Sequence, residues 1–194
     1  MKKLEFSKIL FVSLVLIGAV AVSSCGGKKK ITQNDLGTEV ITPCNDDEFP
    51  TSKTHFRATG TSESTDLSMA KRKATTDARA NLAAVINTTI KTVTDRYSNE
   101  RQVGNAQEFE EKFESLTREV VNQEMNNVAI ACSKTLTKDG KYKAFIAVEV
   151  AKDELLANIK DRISKDQKLQ LDYDKMKFEQ IFNQEMDKMA GERP

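Results

Sequence analysis

The chain has 194 residues, 30 basic against 29 acidic, with one histidine and no tryptophan. A net charge of +1 leaves no electrostatic footprint for nucleic acid, and so few aromatics offer no stacking platform for carbohydrate or bases. One histidine cannot lead a standard zinc site, and no Gly-Lys-Ser/Thr phosphate loop follows a strand.

The first 24 residues read as an export signal. Lys2, Lys3 and Lys8 give a basic start. Ile9 to Val22 is an apolar run of 14 residues, short of the roughly 20 that span a bilayer. It ends in Val22-Ser23-Ser24-Cys25, which resembles a lipobox, the signal at which bacteria couple diacylglycerol to a cysteine thiol. Cys25 is therefore the expected lipidation site, with palmitate-like acyl chains as the membrane anchor. Two or more acyl chains hold a protein stably, whereas one holds it reversibly. Lys28, Lys29 and Lys30 would lie at the headgroups or simply keep the following chain soluble. Gly26, in place of the aspartate that marks inner-membrane retention in enteric bacteria, favours the outer membrane with the domain in the periplasm.

Residues 25–52 read as a flexible tether, with Gly26-Gly27, Gly37, Pro43 and Pro50 and little periodicity. Two fates are open to Cys44 and Cys132 in an oxidising compartment. They pair, or Cys132 is a small buried hydrophobe.

The folded part is expected at 53–165. Phe56 and Ala58 share one face of a short strand over 54–59, and Gly60 then allows a bend. Asp66 has helix-capping chemistry. A long helix follows over about 66–96, where Ala70, Ala74, Ala78, Leu82 and Val85 recur at helical spacing. Three alanines in that row allow close approach to a sheet. A second helix starts at Asn105, with Glu108 completing a capping box, and presents Phe109, Phe113, Leu116 and Val120.

Residues 126–150 read as a β-hairpin. Aligning every apolar residue on one face requires a three-residue loop, Lys138-Asp139-Gly140, with Val128 opposite Val150, Ile130 opposite Val148, Cys132 opposite Ile146 and Leu136 opposite Tyr142. A last helical stretch runs from about 152 to 188 without Gly or Pro. Unbroken, it would extend roughly 55 Å, so its distal part, 166–194, must overhang or fold back. Its large apolar side chains Phe178, Ile181, Phe182, Met186 and Met189 are then either a partner-binding or self-associating face or core. The fold class is α+β: a small antiparallel sheet packed by two helices, with a long C-terminal helix.

Phe56-Arg57-Ala58-Thr59-Gly60, the ladder Ala70, Ala74, Ala78, Ala80 and the later hairpin together resemble the Lpp-twenty family of bacterial envelope lipoproteins. They are similar, more distantly, to the amino-terminal domain of the flagellar assembly protein FlgT. The resemblance covers about 53–150. It implies helices over a small antiparallel sheet, an envelope location and no established enzymatic chemistry.

No catalytic, metal or cofactor constellation stands out in the sequence. A Cys132–His55 pair is the one nucleophile–base combination available. The expectation is a non-catalytic, lipid-anchored interaction or structural module. Its partners are the membrane, through the N-terminal lipid, and a protein or second copy through the C-terminal helix. The alternative is an envelope hydrolase acting on cell-wall material.

Overall fold

The computed structural model describes residues 40–101 and 105–191. Cys25, the lysines at 28–30 and most of the tether lie outside them. Strand β1 (His55–Ser64) leads into helix α1 (Leu67–Arg101), followed by α2 (Ala106–Glu124). Strands β2 (Ala129–Lys138) and β3 (Lys141–Ala151) form the hairpin, and α3 (Lys152–Ile163), α4 (Gln167–Asp172) and α5 (Lys175–Gly191) close the described chain. The sheet is antiparallel with order β1-β3-β2, so the α+β class holds.

The helices cover one face of the sheet. Phe56, Ala58, Ala144, Ile146, Val148 and Val150 meet Ala70, Ala74, Ala78, Leu82 and Ile86 of α1 in a single buried cluster. Gly60 does not bend the chain: β1 runs straight through it to Ser64, paired with Ile146. Its role is steric, because a Cβ there would lie 2.4 Å from the Ala74 carbonyl oxygen and the Ala78 nitrogen. The alanine ladder and Gly60 are thus two halves of one close contact.

The helix starts follow their capping residues. Asp66 accepts the Met69 N–H at 2.7 Å. Asn105 accepts the Glu108 N–H, and its side-chain amide donates to the Glu108 carboxylate at 2.9 Å. Lys168 and Lys112 also reach Glu108 and hold its pKa below the ordinary carboxylate value.

The hairpin departs from its expected register. Lys138 pairs with Lys141 across a two-residue turn, and Leu136 opposes Lys143 rather than Tyr142. Asp139 and Gly140 both take positive φ, 52° and 73°, the geometry that an Asp-Gly hairpin turn favours. A bulge at Ala131 restores Ile130 to Val148 but places Cys132 opposite Ala147, on the other face. The reason is the strand order. β3 is central and buried on both faces from Ala144 to Val148, whereas β2 is an edge strand and does not need a fully apolar inner face. Ile130 and Leu136 are accordingly exposed.

The C-terminal stretch is three helices, not one. Asp166 caps α4 by accepting the Lys168 and Leu169 N–H groups, and Asp174 accepts the Lys177 N–H at the start of α5. The Tyr97 hydroxyl donates to the Asp172 carbonyl and accepts the Asp174 N–H, pinning this elbow to α1. Helix α5 therefore folds back on the domain. Phe178, Ile181, Phe182 and Met186 are buried in the core and Met189 packs against it. The segment 166–194 is not an extension in its described part, and these five residues form no free binding face. Met176, in the first turn of α5, is 82% exposed.

Candidate functional site

The face of the sheet away from the helices is the most distinctive surface of the described chain. Odd-numbered β3 residues point to it, with Phe145 and Ala147 buried there. Residues 42–51 form a roof over part of it rather than a free tether. Cys44 is bonded to Cys132 (Sγ–Sγ 2.07 Å, Cα–Cα 5.7 Å), and both belong to a small cluster with Phe49, Ala131, Phe145 and Ala147.

Polar contacts stitch the rest of the roof down. The Thr59 hydroxyl donates to Asp46 at 3.0 Å, and Arg57 reaches the Pro50 carbonyl while pairing with Glu149 at 2.7 Å. Thr51 accepts the Arg57 N–H and donates back to the Arg57 carbonyl. The outward edge of β1 is thereby closed along its first half.

The bridge closes a loop with a sequence separation of 88 residues. Replacing both Cys44 and Cys132 with alanine is expected to lower stability by about 2–4 kcal/mol. Urea unfolding midpoints of the wild type and C44A/C132A measure it. Equal midpoints would mean that the bridge does not hold the roof in solution.

The disulfide also removes the Cys132–His55 pair as a nucleophile and base, because no thiol remains. The two residues stand on opposite edge strands, with His55 paired to Ala151 and Cys132 to Ala147. His55 Nδ1 lies 3.0 Å from the Thr54 hydroxyl.

A groove of about 490 Å³ lies between α1 and α2, lined by Lys91, Asp95, Glu110, Glu111, Glu114 and Arg118 among others. Several of its polar groups are already hydrogen-bonded. Arg118 bonds Glu114 at 2.9 Å, Gln107 bonds Glu111 at 3.0 Å, and the Thr94 and Thr117 hydroxyls donate to carbonyls of their own helices.

Charge-paired carboxylates elsewhere serve the fold. Lys177 and Arg96 bond Glu100 and lower its pKa, as the Leu169 N–H does for Asp166. Burial raises the Tyr173 phenol well above its usual range. Among the described residues no three His, Cys, Asp or Glu side chains cluster as a metal-binding group, and no helix is long and apolar enough to cross a membrane.

No protein-family model, curated protein or solved structure matches this chain.

Proposed function

We propose that the protein is a lipid-anchored envelope lipoprotein, a non-catalytic interaction or structural module held through Cys25 to the outer membrane and facing the periplasm. The observation that carries this reading is the Cys44–Cys132 bridge. Structural disulfides persist in oxidising compartments, so the bridge supports export independently of the leader. The lipobox-like Val22-Ser23-Ser24-Cys25 then supplies the means of attachment. Membership of the Lpp-twenty family is part of the same proposal, resting on the Phe56–Gly60 strand, the alanine ladder and the hairpin.

A cell-wall hydrolase is the competing reading, favoured only by the carboxylates around the α1–α2 groove. General acid–base chemistry needs carboxylates aimed at a common point. Of those in the groove, Glu111 and Glu114 instead bond Gln107 and Arg118 beside them.

Cell fractionation tests the proposal. Wild-type protein is expected in the membrane pellet and to leave it only with detergent, and Cys25→Ser is expected to lose that attachment. If the serine variant stays in the membrane through a high-salt wash and the wild type takes up no labelled palmitate, the apolar run 9–22 is an uncleaved anchor and Cys25 carries no lipid.

A further inference from the structure

The open sheet face has two zones. Near Ala147 and Glu149 it lies under the roof, which carries Asp46, Asp47 and Glu48. Towards the hairpin turn, the register places Lys134, Leu136 and Lys138 of β2 beside Lys141 and Lys143 of β3 on the same face. All five are exposed, Leu136 by 53%. Lys141 pairs with Glu63 at 3.1 Å, and Lys143 lies 5.4 Å from the Phe145 ring centre. Lys134 and Lys138 carry no ion pair among the described residues. Four lysines on one small zone stand out in a chain whose net charge is +1.

We infer that this zone docks the domain onto an anionic phospholipid surface. Lysines are compact point charges on flexible stems, without the rigid fork that arginine offers a single phosphate. On an exposed face they suit the diffuse charge of headgroups, each adding about 1 kcal/mol, or roughly fivefold in affinity. Leu136, between Lys134 and Lys138 and opposite Lys143, is the apolar group that an interfacial binder inserts. The acidic roof makes the hairpin end, rather than the roof, the part that an anionic surface attracts.

The inference rests on the lipid-anchor reading, which keeps a bilayer within reach. The 16 peptide steps from Cys25 to Ile41 span at most about 58 Å, and Cys44, three residues beyond Ile41, is bonded to Cys132 on the same sheet face as the lysines. Lysines on an edge strand also hinder pairing between copies, a role that needs no lipid.

Vesicle flotation of the chain from residue 26, which carries no acyl group, separates these roles. The core of the described residues is drawn from residues 44–189. Binding to phosphatidylcholine vesicles with about one third phosphatidylglycerol is expected to be ~10-fold or more tighter than to phosphatidylcholine alone, and to weaken with salt. K134Q/K138Q is expected to lose about 25-fold, while K91Q/K160Q, away from the zone, keeps wild-type binding. Equal binding to both vesicles, or wild-type binding by K134Q/K138Q, overturns the inference. A variant that binds normally but self-associates assigns the lysines to guarding the strand edge. Acylation of Cys25 is read separately, by mass on protein extracted from membranes, so failure of the anchor and failure of docking are distinguishable.

Discussion

Gly60→Ala is expected to cost about 3 kcal/mol or more, at or beyond the upper end of ordinary overpacking. The added methyl group would meet the Ala74 carbonyl oxygen and the Ala78 nitrogen at 2.4 Å and the Ala78 Cα at 2.9 Å, all of them main chain. No flexible side chain can swing aside. The facing residues Ala70, Ala74 and Ala78 are already the smallest that carry a Cβ. Relief therefore requires α1 to lift from β1, which opens the contact that buries Leu82, Ile86 and Phe56. Gly191→Ala is the control, since a Cβ there would meet nothing within 4 Å. It should change stability by less than about 0.5 kcal/mol. Urea unfolding of both variants measures the contrast. Near-native stability for Gly60→Ala would mean that the helix does not approach the sheet as described.

Phe182→Ala is expected to cost about 3–5 kcal/mol without changing the oligomeric state. The Phe182 ring is fully buried, edge-on to Phe56 at 6.0 Å and near Phe178 at 6.3 Å. It joins α5 to the first strand of the fold, so the cavity left behind would sit in the centre of the core. Met176→Ala and Leu171→Ala, on side chains 82% and 85% exposed, should stay within about 0.5 kcal/mol of wild type. Light scattering and urea unfolding on the same samples check both halves. Were α5 an association helix, Phe182→Ala would dissociate an oligomer and leave monomer stability unchanged.

Much of the fold is legible in the sequence because local chemistry and global packing agree. The alanine ladder signals a close helix–sheet contact, and Asp66 and Asn105 mark two helix starts. The hairpin is legible in outline but not in register. Aligning its apolar residues on one face treats β2 and β3 as equally half-buried, which they are not. The five apolar residues Ala144 to Val148 run without alternation, the pattern of a strand buried on both sides. That run, with Asp139-Gly140, points to a two-residue turn and an edge position for β2. Breaks in the C-terminal helix are hidden because no Gly or Pro marks them. Asp166 and Asp174 end one helix and start the next by capping, a signal as strong as glycine at such points.

The candidate surface is the least legible part. A two-residue parity decides which lysines share a face, and the bulge at Ala131 sets that parity for the rest of β2. The roof is concealed by its Pro and Asn content, which reads as linker. It is the disulfide and the Thr51, Asp46 and Pro50 contacts that fix it to the sheet.

The most direct test of the lipid-anchor proposal is the mass of the N-terminal peptide from protein extracted from bacterial membranes. The expected peptide begins at Cys25 and carries diacylglycerol on its sulfur. A peptide that retains residues 1–24, or one that begins at Cys25 with an unmodified thiol, would contradict it.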